Sequence, residues 1–518
     1  MNTVAVTIFV ALFLLVTAIG FVAARWRRGD LNEISEWGLG GRRFGTVVTW
    51  FLLGGDLYTA YTFIAVPAAL FGAGASGFFA VPYTILVYPL VYAVYPRLWS
   101  VAKAKGYVTA ADFVRGRFGN GTLALAVAVT GIVATMPYIA LQLVGMEVAI
   151  GGLGIQMDVA VPGIGMVHDL PLLIAFAVLA IYTYSSGLRA PALIALVKDA
   201  LLYVTVIAAI IVIPAELGGF GKIFAAANTK TLILAAPSAT SLGQQASYAT
   251  LALGSTLALF LYPHAVTGLL SSSSRHVVRR NAAILPAYSF ALGLIALLGT
   301  MAVAAGVKSM PEFAAGFKTF GPQYAVPALF VHAFPPWFVG IAFAAIAIGA
   351  LVPAAIMAIA CANLFTRNIY REYIDPHCKP AREAQVAKIV SLVVKLGALA
   401  FIIELPTKFA INLQLLGGVL IIQTLPSVIF GLYSNRLNPW ALLMGWGAGI
   451  GSGFAMTYGS GFTITTVYPL QLFGLTIPCY AAVSTLVLNI AVSAAFSWLF
   501  NAVLRTPPSD ETAEADYA

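Results

Sequence analysis

The sequence predicts an all-α polytopic membrane protein of about thirteen transmembrane helices with a 5+5 inverted-repeat core. Three observations predict it: a composition too apolar for a surface covered by water, a succession of apolar runs long enough to span a bilayer, and a one-sided distribution of Lys and Arg. Of 518 residues, 60% are hydrophobic and only 9% charged, against about 25% charged in average soluble domains. A water-soluble fold could not cover itself with so few charges, so lipid is the solvent for most of its surface. Cys361, Cys378 and Cys479 are too scattered for a disulfide framework or a zinc site.

Apolar runs of about 20 residues or more fall near 2–25, 45–72, 77–102, 122–151, 169–188, 191–215, 247–271, 283–306, 336–366, 385–405, 408–433, 438–459 and 477–504. The first has no basic stretch before it and ends in Arg25-Trp26-Arg27-Arg28, which reads as an uncleaved helix rather than a removed signal. The fifth and sixth runs are separated at Ser185-Ser186-Gly187-Leu188-Arg189-Ala190-Pro191, a turn-prone stretch. Residues 325–335 read as a short outer helix or re-entrant segment.

Orientation follows from the basic residues. With the N-terminus outside and the spans alternating, 21 of the 28 Lys and Arg fall on the inner side and five on the outer, with Lys198 and Lys395 at membrane depth. This places the N-terminus outside and the C-terminus in the cytoplasm, in a bacterial inner membrane. It also accounts for the net charge of +9 without nucleic acid as a partner.

Leaving out the first span and the last two, ten remain, in two sets of five. Five is odd, so the second set enters from the opposite face, the arithmetic of an inverted repeat. The chain divides into 1–44 (first span and loop), 45–215 and 216–435 (the two five-helix sets), 436–505 (two peripheral spans) and 506–518, an acidic tail expected to be disordered. The opening span of each set carries an interruption: Gly54-Gly55-Asp56, with Pro67 beyond, in the second span, and Gly254 then Tyr262-Pro263-His264 in the seventh. Glycine weakens a helix interior and proline removes a backbone hydrogen bond. Freed peptide groups are tolerated at membrane depth where they line a cavity or bind something. Gly and Pro are also simply common in membrane helices; interruptions at corresponding positions argue for more than that.

Several stretches, in this order and spacing, resemble the sodium:solute symporter family over about residues 1–505. They are Trp37-Gly38-Leu39-Gly40-Gly41-Arg42-Arg43, Gly54-Gly55-Asp56, the run from Tyr107 to Gly119 (YVTAADFVRGRFG), Gly187-Leu188-Arg189-Ala190, and Leu364-Phe365-Thr366-Arg367-Asn368-Ile369-Tyr370. Leu413-Gln414-Leu415-Leu416-Gly417-Gly418 and Val197-Lys198-Asp199 look like the bacterial monocarboxylate permease branch. The resemblance implies a secondary symporter with a functional monomer and no cofactor, its substrate a small monocarboxylate such as lactate, pyruvate, an acetate-like acid or alanine. It also implies that the Gly54 and Leu57 carbonyls face a cation site, that Gly55, Tyr58 and Thr59 face substrate, and that Gln414 matches a substrate contact of sugar-transporting relatives.

Charged and polar groups at membrane depth are costly, so each invites a functional reading. Asp56 could hold a cation or organise the interrupted backbone, or serve as a helix N-cap. The N-terminus of a half-helix suits a carboxylate. Tyr138 and Gln142 lie one turn apart on the fourth span and could face a central cavity; Gln142 could equally bond a neighbouring helix. Tyr262 and His264 flank Pro263, and His264 could relay protons or simply pack.

The departure from the family is the most informative feature. Sodium-coupled members place two adjacent hydroxyl residues on the ninth span, where this chain has Val352 and Pro353, and an Asp on the sixth, where it has Ala195. None of these offers a side-chain oxygen to a hard cation, so the sodium site is expected to be degenerate. Lys198 stands three residues after Ala195 on the same helix face. A lysine at membrane depth can exchange a proton, so Lys198, beside Asp199, is the candidate for proton coupling, with snorkelling to the interface as the alternative; Lys395 is a second candidate. Sodium coupling with proline or pantothenate as solute remains open. A membrane enzyme would need a reactive constellation, a channel a repeated filter element and a sensor an output domain, and no such motif is present in the sequence.

Overall fold

The computed structural model describes residues 2–26, 29–155, 159–161, 165–167, 170–227, 232–404, 410–459, 466–504 and 509–518. Arg27, Arg28, Lys230, Lys408 and Arg505, all used in the charge asymmetry, lie outside the described residues.

A helix or a broken pair of helices occupies every one of the predicted apolar segments. In chain order the main helices are α1 (Thr3–Val22), α2 (Thr46–Leu57), α3 (Val66–Ala73), α4 (Ala80–Lys105), α5 (Ala110–Phe118), α6 (Gly121–Gly152), α7 (Leu170–Ser186), α8 (Arg189–Glu216), α9 (Gly243–Leu259), α10 (Pro263–Leu270), α11 (Arg275–Ile284), α12 (Pro286–Ala304), α13 (Ala325–Ala333), α14 (Pro336–Phe365), α15 (Pro380–Glu404), α16 (Ala410–Ile421), α17 (Pro439–Gly459) and α18 (Ala481–Leu504). Among the described residues eight helical runs are long and apolar enough to cross a membrane, nine when α9 and α10 count as one bent span. The protein is therefore a multi-pass membrane protein.

The most enclosed helix is α14, with 94% of its most apolar window buried against 22% for α1. It packs along α1, α6, α8 and α15. Its Ala- and Gly-rich sequence lets neighbouring backbones approach closely, as packing without a hydrophobic driving force requires.

Both interrupted spans are broken. The second runs as α2, changes direction at Tyr58-Thr59, continues through a π-helical turn at Tyr61–Ala65 and resumes as α3. The break therefore lies after Gly54-Gly55-Asp56, not within it. The two glycines serve close approach instead: a side chain at Gly54 would meet the Tyr288 ring, and one at Gly55 would lie 2.8 Å from Lys198 Nζ. The seventh span breaks at Phe260–Tyr262, with a bend of 47° between α9 and α10. Pro263 occupies the first turn of α10, where its missing N–H loses nothing. Gly254 lies within α9 and is needed for packing on Tyr480.

Two corrections concern the C-terminal part. The last span begins at Ala481 rather than near 477, because Val467–Leu472 and Leu475–Tyr480 form an antiparallel hairpin. Its tight turn holds Phe473 and Gly474 at positive φ, the twist that suits a two-residue hairpin loop. The acidic tail, expected to be disordered, is docked over its described residues. Asp510 pairs with Arg117, Asp516 lies 3.2 Å from Lys105, and the Tyr517 ring sits 4.5 Å beneath the Arg97 guanidinium. A low apolar content argues for disorder only where no charged partner is at hand, and this tail meets a basic surface.

Two of the sequence stretches that carry the family resemblance meet in space. Thr109 and Asp112 form a capping box at the start of α5. Asp112 also accepts from Asn368 Nδ2 at 2.8 Å and lies 3.4 Å from Arg367, while Thr109 donates to Asn368 at 2.9 Å. Arg367 and Arg371 both reach Glu383 on α15. Asp112 thus ties α5 to the end of α14 in a buried network. Replacing Asp112 with Ala is expected to lower stability by about 2–4 kcal/mol, because Asn368 loses its acceptor and Arg367 one of its two carboxylate partners. Thermal unfolding of the purified protein in detergent checks this, and an unchanged melting temperature contradicts it.

Candidate functional site

The residues singled out in the sequence gather into two groups on either side of the broken second span. The first surrounds the C-terminus of α2. The last carbonyls of a helix lack intrahelical donors and carry negative polarity. The Gly54 carbonyl accepts from the Tyr58 amide at 3.1 Å. The Gly55 and Tyr58 carbonyls accept instead from Lys198 Nζ, at 3.0 Å for Tyr58. The carbonyls that the lysine ammonium holds are those of Gly55 and Tyr58. Lys198 and Asp199 are fully buried in α8, with Nζ 3.1 Å from Asp199 Oδ1; Lys198 does not snorkel. Asp199 Oδ2 accepts from the Tyr288 hydroxyl at 2.9 Å, and the Tyr58 hydroxyl donates to the Tyr288 carbonyl at 2.6 Å.

From α14, Gly349 faces the Tyr58 carbonyl, with its Cβ direction 3.8 Å away. Val352 and Pro353 follow one turn later on the same face and are buried. The side of α14 turned toward the carbonyls thus offers no side-chain oxygen at these positions, and Ala195, one turn before Lys198, is a buried methyl. A primary ammonium holds the two carbonyls by hydrogen bonds and balances the helix end at the same time.

The second group surrounds the break of the seventh span. The rings of Tyr138, Tyr262 and His264 are mutually in contact, with centroids 5.3 to 5.4 Å apart. His264 Nε2 lies 3.4 Å from Asp56 Oδ2. Tyr262 donates to the Gln414 backbone carbonyl at 2.9 Å, bringing α16 to the site. Asp56 Oδ1, both His264 nitrogens and Gln414 Oε1 are buried without a hydrogen-bond partner among the described residues. Buried polar atoms are normally satisfied, so orphans gathered around the Asp56–His264 contact make it a candidate polar site. The first amides of α10 add to it: Pro263 has none, and those of His264 and Ala265 precede the first intrahelical bond, which Val266 makes to Tyr262. A cavity of about 20 Å³ continues from Pro263 past Thr267 and Gly131 to Thr109 and Leu364.

Thr59 and Gln142 cap the start of the resumed second span: Thr59 Oγ1 accepts from the Tyr61 amide at 3.0 Å and Gln142 Oε1 from the Ala60 amide at 3.2 Å. Gly55 and Tyr58 belong to the lysine group, and Asp56 stands beside His264. Asp56 is not an N-cap, since it lies in the last turn of α2. A carboxylate there opposes the helix dipole; His264 Nε2 lies 3.4 Å from it and the Lys198 charge acts on it. Lys395 is buried in α15, and its Nζ has no hydrogen-bond partner among the described residues. Tyr288 escaped the sequence reading because a lone tyrosine in an apolar span carries no local signal.

Comparison with known proteins agrees with this architecture. Residues 37–449 match the profile of the sodium:solute symporter family. The chain is 52% identical to a monocarboxylate transport permease protein of Rhizobium johnstonii, covering 95% of this chain and 96% of that one. It is 34% identical to an uncharacterized symporter of Bacillus subtilis, over 87% of each. In fold it is similar to a Na+-coupled sialic acid symporter in a substrate-bound outward-open state, with a TM-score of 0.72, 16% identity and coverage of 96% and 98%. A nucleobase-cation-symport-1 family transporter in a closed conformation aligns with a TM-score of 0.51 at 13% identity, with coverage of 95% and 98%. With its two broken spans and the polar groups gathered at their breaks, the chain belongs to the sodium:solute symporter family, as a membrane symporter of a small solute and not an enzyme.

Proposed function

We propose that the protein takes up a small monocarboxylate of the lactate, pyruvate or acetate type across a bacterial inner membrane, in symport with protons. The observation that carries the reading is the Lys198 ammonium seated on the Gly55 and Tyr58 carbonyls, opposite a face of α14 where Val352 and Pro353 stand. A protonated lysine supplies there the charge that a bound metal cation would otherwise supply. With the proton on, Lys198 holds the broken span against α8. With the proton released, the neutral amine loses its charge and the contact weakens, freeing the two carbonyls.

The solute's carboxylate fits the start of α10, where unpaired amides and the helix dipole favour an anion. It would face Asp56 across the His264 imidazole, so its charge is balanced when the site also takes up a proton. The monocarboxylate named for the Rhizobium relative supports this choice of solute. The basic residues concentrated on one side support an outer N-terminus and an inner C-terminus.

The test is uptake of labelled pyruvate, lactate, alanine and proline into proteoliposomes under imposed gradients. Pyruvate or lactate should accumulate on an inward proton gradient in sodium-free medium, and collapse of that gradient should stop it. Accumulation that requires sodium and ignores the proton gradient would overturn the reading.

A further inference from the structure

Tyr288 links Asp199, Tyr58 and the Gly54 face of α2. It is 1% exposed, at the start of α12. Its hydroxyl donates to Asp199 of α8, its carbonyl accepts from Tyr58 at the end of the broken half-helix, and its ring fills the face of α2 left bare by Gly54. Trp50, Tyr58 and Tyr203 enclose that ring, with centroids 4.5, 4.7 and 5.6 Å away. Below it, α12 is packed against the resumed half of the same span, with Gly299 on the Pro67 carbonyl. The halves of the broken span and α12 therefore form one body, and α8 is attached to it by Lys198 on the carbonyls and Asp199 on Tyr288.

Among the described residues the titrating groups that act on the pair or on Tyr58 beside it are Asp56 on the second span, Tyr203 on α8, Tyr288 on α12 and Tyr88 on α4. From α14 come Gly349, Val352 and Pro353, which do not titrate. A phenol is suited to such a place because it donates to a carboxylate and, after rotation, accepts from a carboxylic acid. Tyr288 can thus stay bonded to Asp199 in either charge state, which a phenylalanine cannot.

We propose that Tyr288 is a positioning residue for ion coupling: it holds Asp199 so that Lys198 lies on the Gly55 and Tyr58 carbonyls, and it carries a change in the charge of that pair to α12. This rests on the proton-coupled reading above. The hydrogen bonds and ring contacts of Tyr288 among the described residues are all made within the lysine group and its surrounding rings, so its role is in coupling rather than in holding solute.

The experiment compares wild type and Tyr288→Phe in proteoliposomes, using labelled pyruvate. Two quantities are read: accumulation on an inward proton gradient, and exchange of internal for external pyruvate at equal pH. The Phe variant keeps the ring against Gly54, and exchange itself reports a folded carrier. Gradient-driven accumulation should fall about tenfold, the scale of one hydrogen bond to a charged group, with the exchange rate and its KM within about twofold of wild type. Accumulation and exchange falling in proportion would assign Tyr288 a purely structural role, and unchanged accumulation would assign it none; either overturns the proposal. A wild type that accumulates pyruvate only on a sodium gradient overturns the reading beneath it instead, a result visible before the variant is measured.

Discussion

Replacing Lys198 with Met should reduce proton-driven accumulation of solute by about a hundredfold or more. The ammonium is the sole cation bonded to the Gly55 and Tyr58 carbonyls among the described residues. Methionine fills similar volume with nothing to donate. The single change also strands Asp199 as a buried charge, and breaking a buried pair by removing one member costs about 3–5 kcal/mol. Loss of activity in Lys198→Met alone could therefore reflect poor folding. The double variant Lys198→Met with Asp199→Asn removes both charges, keeps a partner for the Tyr288 hydroxyl, and is expected to fold nearly as well as wild type. It should still fail to accumulate pyruvate on a proton gradient, while retaining exchange. Lys198→Arg should fail as well, because a planar guanidinium cannot replace a compact ammonium between two carbonyls and a carboxylate. Wild-type accumulation by the double variant would remove Lys198 from the coupling mechanism.

Replacing Asp56 with Asn should separate stability from transport. A carboxylate in the last turn of a half-helix is unfavourable by about 0.3–1 kcal/mol at exposed sites, and here it is buried with one oxygen unpartnered. Asparagine removes the charge and keeps the shape. The variant should melt at or slightly above the wild-type temperature, as replacement of strained functional groups often does. Uptake should nonetheless fall about fiftyfold or more, because the negative group facing His264 is gone and a bound carboxylate no longer brings a proton with it. The matching change His264→Ala should raise KM for pyruvate about tenfold or more. The measurements are thermal unfolding in detergent beside uptake in proteoliposomes; an Asp56→Asn protein that melts well below wild type would make Asp56 a structural residue.

Much of this site could be read along the chain because intramembrane charge is rare. Asp56, Lys198, Asp199 and His264 stand out in an apolar background, and the structure gathers them at two breaks. The breaks were legible in kind but less well in place. The seventh span breaks directly before Pro263, which opens the next helix, whereas Gly54 and Gly55 permit a break that tertiary contacts move to Tyr58-Thr59. Glycine has two uses, conformational freedom and close approach, and only the neighbours of these two, Tyr288 and Lys198, reveal which applies. Gln142 reads equally well as a cavity residue and as a bond to a neighbouring helix, and the structure sets it on the Ala60 amide as it sets Thr59 on the Tyr61 amide.

The docked tail and the Asp112 junction were hidden for another reason. Their partners are hundreds of positions away: Arg117 and Asp510 are separated by 393 residues, and Asp112 and Asn368 by 256. Charge pairing has no periodicity to betray it.

Residence in the membrane, the placing of the helices and the absence of hydroxyls at positions 352 and 353 follow from composition and local order, since lipid selects for apolar length and a side chain either has an oxygen or lacks one. That Lys198 reaches the carbonyls of Gly55 and Tyr58, 143 and 140 positions away, that Tyr288 steadies Asp199, and that Asp56 meets His264 are outcomes of folding alone. They depend on which faces of separate helices are pressed together, a relation that no stretch of consecutive residues contains.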